Sequence, residues 1–423
     1  MLRYLLPLGL AAFISFPVHA QPTAAAWTFA DSVKRALDVA PELRAAEADI
    51  SGRTAELSQA GSWPNPTLDL NADDRLGLEE GRGGINMSGI ALSQPLPMRR
   101  LARQRTVAEA NLASANANLR YQQLLLEREV ARVFHALQMA TAQRTLAEER
   151  LQLVAESPNA SRKFGADRLV RYLTPLERQR LSILNEEAGQ ALVVAEREWQ
   201  KALIDFRALL ALPAGAPAEP AALLPAATPV NPETLVRALD DHPALAATRK
   251  EADAAQAAIA VAESQRFADP VLNLYSERNY IGGERRNVTG VGVSVEIPLW
   301  NTGNGKLAQA RADAERARAK LDALSRDARS RLEQAHTQLA QLLGQTERLR
   351  LKLLEPAREL YTLTRRGFAA GELNVLALVD ANNSFFDARA RHLELQYESA
   401  LAAADLRLAS GISVLNPSPG VAP

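Results

Sequence analysis

The segment "RALDVAP" at Arg35–Pro41 returns as "RALDDHP" at Arg237–Pro243, 202 residues later in a chain of 423. The echo continues downstream. "NPTLDL" (Asn65–Leu70) is answered by "DPVLNL" (Asp269–Leu274), with prolines 204 apart at Pro66 and Pro270. "SQPLP" (Ser93–Pro97) is answered by "EIPLW" (Glu296–Trp300), with prolines 203 apart at Pro95 and Pro298. One offset held at three landmarks constrains the fold more than any single motif. A repeat this long is a half-molecule, not a solenoid unit of about 20–50 residues. The chain therefore reads as a tandem structural repeat: residues 21–212, a Pro/Ala-rich connector at 213–230, residues 231–411, and a flexible tail at 412–423.

Each half reads as a helix, two extended segments, then two long helices. The first long helix of repeat one runs from about residue 101 to 156, with Leu112, Leu119, Leu126, Val133 and Ala140 seven apart. Repeat two does the same through Leu307, Ala314, Leu321, Ala328, Ala335, Leu342 and Leu349. A sustained seven-residue period predicts supercoiled helices with a narrow buried seam. Fifty helical residues span roughly 75 Å, far more than a compact domain needs. Both helices meet a proline at matching depth, Pro158 and Pro356, and interior prolines break or kink helices, so both halves are expected to turn there. Second helices follow at about 174–212 and 372–411. Each half therefore predicts a long antiparallel helical hairpin.

The extended segments are predicted at 66–76, 85–96, 270–280 and 287–299. The last is the clearest. Val291, Val293, Val295 and Ile297 share one face, while Gly292, Ser294 and Glu296 share the other. Its link to the third, "IGGERR", reads as a turn. Strands of about ten residues with one apolar face suit a tilted bilayer crossing.

The compartment follows from the start, "MLRYLLPLGLAAFISFPVHA": a basic Arg3, a short apolar run and small residues before a cut after Ala20. That is the pattern of a signal peptide, 1–20, rather than a spanning helix of about 20 apolar residues. Without it 48 basic residues face 49 acidic ones, so no basic field points to nucleic acid. The chain has no cysteine, hence no disulfide, thiolate ligand or lipidated N-terminal cysteine. The expectation is an exported protein without a helical or lipid anchor. Four strands cannot close a membrane barrel, for which about eight is the practical minimum, and an open edge in lipid leaves amides unpaired. Membrane-spanning strands must therefore be pooled. Three chains give twelve, an even number as bacterial barrels have.

The segment "YTLTRRGFAAGELNVLALVDANNSFFDAR" (Tyr361–Arg389) adds a resemblance to this reading. Together with the duplicated plan, it is similar to the TolC-like outer-membrane efflux factors across essentially the whole mature chain. The members serving heavy-metal and cobalt–zinc–cadmium pumps resemble it most. The resemblance implies a mostly α fold with a small β part: a homotrimer with a twelve-stranded transmembrane β-barrel, four strands per chain, continued by a long α-helical coiled-coil barrel in the periplasm. It implies an outer-membrane channel of a tripartite efflux system, taking its cargo from a periplasmic adaptor and an inner-membrane transporter of the resistance-nodulation-division type. Gly371 matches the family's hairpin-tip glycine, with Ala370 and Phe368 beside it as candidate adaptor contacts. Asp380 matches the second of two aspartates that ring the pore entrance in relatives, and Ala377 stands where the first would be. In repeat one the corresponding tip candidates are Gly165 and Asp167, the latter where a glycine is expected.

Other chemistry is not written here. "TGNGKL" (Thr302–Leu307) lacks the first glycine and the Ser/Thr of a phosphate loop. After cleavage His135, His242, His336 and His392 remain, without ligand spacing, so neither metal site nor cofactor is expected. Two rivals stand beside the channel: a soluble periplasmic coiled-coil scaffold or adaptor, and an exported enzyme, which lacks any catalytic grouping.

Overall fold

The computed structural model describes residues 26–73, 86–163, 174–223, 232–281 and 284–415. The signal-peptide segment, Gly165 and Asp167 lie outside them. Helix α1 (Phe29–Val39) is capped by Thr28, whose hydroxyl accepts from the Asp31 N–H at 3.1 Å, and buries Ser32, Val33 and Ala36. Helix α2 (Pro41–Ala60) begins on a proline, tolerated in a first turn whose N–H groups have no partner. Strands β1 (Thr67–Asp73) and β2 (Asn86–Pro95) follow, then α3 (Arg100–Lys163) and α4 (Pro175–Leu209). A reciprocal cap between Thr174 and Glu177 starts α4. The second half runs α5 (Pro232–Ala238), a 3-10 turn (Leu239–Asp241), α6 (Pro243–Ser264), β3 (Val271–Ile281), β4 (Glu284–Ser294) and α7 (Asn304–Leu349). A π-helical segment (Arg350–Leu354), α8 (Glu355–Ala370) and α9 (Val375–Ser410) complete it.

The four strands form one antiparallel sheet in the order β1-β2-β3-β4. All helices adjoining the sheet make a first layer, in which α3 packs on α2 and α6, and α6 packs on α7. Beyond it α3 continues against α4 and α9, and α9 packs on the far part of α7 and on α8. At 64 residues α3 alone is roughly 95 Å long, so it runs through both layers.

Three buried clusters hold this frame. Val130, Phe134 and Leu137 of α3 close on Val33 of α1 and on Leu203 and Phe206 of α4. Leu332 and Leu339 of α7 close on Leu235, Leu239 and Leu406. Tyr361, Phe385 and Phe386 pack with Leu146 near the α8–α9 turn, the first two rings stacked at 5.2 Å. The seven-residue seam is present, and more fully than the sequence series names. In α7 the series Ala328, Ala335, Leu342, Leu349 is half-buried, and Leu332, Leu339 and Thr346 between its members are buried. Steps of four and three alternate, as in a coiled coil.

The prolines do not turn the chain. Helix α3 continues through position 158 to Lys163, and Pro356 lies in the first turn of α8, directly after the π segment. A wider π turn shifts the hydrogen-bond ladder where a proline has no N–H to give, so the rod continues. Arg350 braces this segment, bonded to Glu347 at 2.7 Å and near Glu355 at 3.8 Å. The reversal comes at Gly371, in the left-handed region at φ 78°. The third-to-fourth strand turn is shorter than "IGGERR", since pairing resumes at Ile281–Glu284, and β4 stops at Ser294.

The described parts of the connector and tail are tied to the helices. Trp27 donates to the Glu219 carbonyl of the connector and accepts from its Ala221 N–H, and Gln138 of α3 donates to the Ala221 carbonyl at 2.7 Å. After α9, Ile412 is buried, and buried Glu127 accepts bonds from the Ser413 hydroxyl and the Val414 N–H. A buried carboxylate demands such partners, and these backbone and hydroxyl donors supply them.

Candidate functional site

Residues opposite one another in antiparallel strands share a face. One row across the sheet is Leu68, Leu92, Leu274 and Val291; the next is Leu70, Ile90, Ser276 and Thr289. Leu272 and Val293 extend the same face. Its apolar side chains stand in the open, Val291 at 65% exposure and Leu68 at 60%. The reverse face carries the rows Thr67, Ser93, Asn273, Gly292 and Asp69, Ala91, Tyr275, Gly290. There Asn273 donates to the Ser294 hydroxyl oxygen at 2.8 Å, and Tyr275 lies over Gly290 so closely that a Cβ would meet its ring at 2.5 Å. An exposed apolar face backed by a polar one is the inverse of a soluble sheet, and matches a wall with lipid on one side and water on the other. The outer strands β1 and β4 have no strand beyond them among the described residues.

Large apolar residues also mark all four strand–helix junctions. Trp63, Met98, Phe267 and Trp300 are exposed, Trp300 at 93%. Amphipathic and bulky side chains at such a level suit a membrane–water boundary. Among the described residues no helix is long and apolar enough to cross a membrane.

The other end is the α8–α9 turn. Gly371 ends α8, with the Gly371 N–H on the Phe368 carbonyl and the Glu372 N–H on the Gly367 carbonyl. Leu373 folds back over Gly367, where a Cβ would lie 2.8 Å from its side chain. Asn374 then caps α9, accepting from the Ala377 N–H at 3.0 Å. Ala370 and Gly371 are exposed and Phe368 is half-buried. Asp380 is exposed, on the side of α9 opposite Val375, Leu378, Ala381 and Phe385; Ala377 is half-buried. The structure thus brings Phe368, Ala370 and Gly371 together at one turn, with Asp380 on the helix leaving it.

Sequence reasoning missed the residues that fasten this end. Arg150 of α3 donates to Asn383 of α9 at 2.7 Å and lies over the Phe386 ring, while Glu149 pairs with Arg389. All the α9 members lie inside "NNSFFDAR", so the motif held their signal, but their α3 partners are more than 230 residues away.

The histidines do not converge, and among the described residues no cluster of three or more metal-ligating side chains occurs. His135 bonds Gln138 at 2.7 Å, and burial lowers its pKa. Burial and then Arg350 lower that of His392, and Glu347, bonded to Arg350, also titrates below the usual range.

Comparison with known proteins agrees with this geometry. The outer membrane efflux protein family matches twice, over residues 32–212 and 234–412. The chain is 27% identical over 413 residues to the cobalt-zinc-cadmium resistance protein CzcC of Cupriavidus metallidurans, covering 93% of this chain and 96% of that one. Its fold is similar to CusC, a protein described as forming a transmembrane channel, with a TM-score of 0.72, 18% identity, and 90% and 92% of the two chains covered. It is likewise similar to the outer membrane protein VceC of Vibrio cholerae, with a TM-score of 0.71, 17% identity, and 90% and 96% covered. With most of its length matched in two successive blocks, this chain belongs to the outer membrane efflux protein family.

Proposed function

We propose that this efflux channel works as a homotrimer, the outer-membrane exit of a tripartite pump. The observation that carries the reading is the four-stranded sheet, apolar and exposed on one face, polar on the other, with no strand beyond either edge among the described residues. Three such sheets joined edge to edge, β1 of one chain to β4 of the next, close a twelve-stranded barrel with no amide left open to lipid. The helices continue that barrel into the periplasm as a duct, to which two similar halves in each of three chains contribute six hairpins. A gene duplication accounts for the two halves and for the double family match. The α8–α9 turn, with Phe368, Ala370 and Gly371, is the surface offered to a periplasmic adaptor, which links the channel to a resistance-nodulation-division transporter. Gly165 and Asp167 take the same role in the first half. Heavy-metal cations are the proposed cargo, because the CzcC relative bears a cobalt-zinc-cadmium resistance name. A duct that must release its cargo needs no tight metal site.

Mass measurement of the detergent-extracted, cross-linked protein tests the assembly. Three chains are expected. A stable monomer that stays in solution without detergent would return the chain to the soluble-scaffold reading.

A further inference from the structure

The two copies of the opening echo differ where their helices begin: Ala40 stands in "RALDVAP" where His242 stands in "RALDDHP". Both residues precede a helix-starting proline with nearly the same backbone, φ −62°, ψ 123° and φ −59°, ψ 123°. The turn itself therefore has no need of histidine. Ala40 offers α2 no side-chain cap, whereas the His242 ring makes two bonds.

Nδ1 of His242 accepts from the Ala244 N–H at 3.2 Å, in the first turn of α6. An amide can only donate, so Nδ1 carries no proton. The ring's one proton then sits on Nε2, which donates to the Leu408 carbonyl near the end of α9 at 3.0 Å. The residue is 6% exposed, and a Cβ on neighbouring Gly411, itself at φ 76°, would lie 3.0 Å from the ring. One neutral imidazole thus joins the last turn of α9 to the first turn of α6. Helix α9 leads to the Gly371 turn; α6 leads to the sheet.

A second proton can enter only at Nδ1. It would remove the acceptor of the Ala244 amide and set a cation at the positive end of a 22-residue helix. The charged and titratable groups facing the joint are Tyr121 and Arg128 of α3, Arg331 of α7 and Asp405 of α9, with exposed Asp240 and Asp241 on the preceding turn. Arg128 holds Asp405 at 2.6 Å, beside a cavity of about 360 Å³ that Arg331 also lines.

We propose that His242 is an acid-released cap of the sheet-side helix α6, seated against the end of the hairpin-bearing helix α9. Neutral, it caps the first turn of α6; protonated, it gives up that cap and sets a cation at the positive end of the helix, while Nε2 still donates to the Leu408 carbonyl. Burial sets the imidazole pKa below its ordinary value, with the Leu408 carbonyl pulling the other way. A folded-state pKa below the unfolded one means that the cap is complete above about pH 6.5 and is lost as pH falls toward the lower folded value.

Hydrogen exchange of the full-length, detergent-extracted protein tests this, corrected for the intrinsic pH dependence of exchange. Between pH 8 and pH 5 the amides of Ala244 and Ala246 should exchange about tenfold faster, the scale of losing a helix cap, while those of Gly411 and Ile412, at the end that Nε2 still holds, should not. Amides of Val130 and Phe134 serve as the internal reference. In His242→Asn, which keeps a cap acceptor but has no proton to gain in this range, exchange should be the same at both pH values. His242→Gln should behave likewise and decides the matter if the first variant does not fold. Unchanged exchange in the wild type would overturn the proposal. So would a wild-type-sized change in both variants, or its disappearance in His135→Gln, which would move the sensor to the α1–α3 core. The readout is local to one chain, so it fails or succeeds apart from the trimer reading.

Discussion

Asp380 stands exposed on α9, its back to the Tyr361–Phe385–Phe386 cluster that holds the hairpin end together. Replacing it should therefore leave packing untouched and alter only the field. If threefold symmetry brings three copies around a narrow opening, divalent and trivalent cations will collect there and plug it, less so at high salt. Asp380→Ala should lower cation block of single-channel current several-fold while the trimer persists, and Ala377→Asp should raise it. Equal block in wild type and both variants would set Asp380 on the outer wall. Gly371 is a different case, fixed by backbone geometry alone. At φ 78° an alanine costs about 1 kcal/mol, so Gly371→Ala should speed proteolysis at the α8–α9 turn without affecting the sheet.

At the scale of elements, the rods were largely legible in the sequence. The seven-residue series and Gly371 as a turn both act through local geometry, which sequence spacing records directly. Pro356 was misread because its cost depends on the turn before it. The π segment at Arg350–Leu354 absorbs the missing N–H, and no local residue pattern announces that adjustment. The Glu127 hold on Ser413 and Val414 was hidden for another reason: its partners lie 286 and 287 residues apart in the chain. The α8–α9 turn makes an element-level prediction of its own. With no native cysteine to compete, Ala370→Cys should cross-link to an adaptor hairpin and resist a membrane-impermeant label applied to intact cells. Efficient labelling from outside would invert the topology.

For the whole molecule, the period-two pattern of β4 carried the essential information, because Val291 and Val293 do lie on the exposed apolar face and Gly292 on the other. The faces of β1 and β2 were harder to see where Ser88 and Gly89 dilute the alternation, and only the pairing with β3 aligns Leu92 with Leu274. The two faces should respond oppositely to one substitution. Val291→Arg should destabilise the membrane-inserted protein by about 2–4 kcal/mol if it lies near the bilayer midplane, lowering the urea midpoint of the extracted protein. Asn273→Arg, on the polar face, should leave that midpoint nearly unchanged and alter conductance. Equal effects would mean that the sheet does not separate lipid from water. The outer edges of β1 and β4 carry one more consequence. On the trimer reading proposed above, a lone chain lacks the neighbouring strands that cover those edges, and its apolar wall suits neither water nor, unclosed, lipid. Its native state would then belong to the collective, and its stability would depend on how many copies share a given patch of membrane. Diluting the extracted protein in detergent should lower its melting temperature, while a self-sufficient fold would melt at the same point at every concentration.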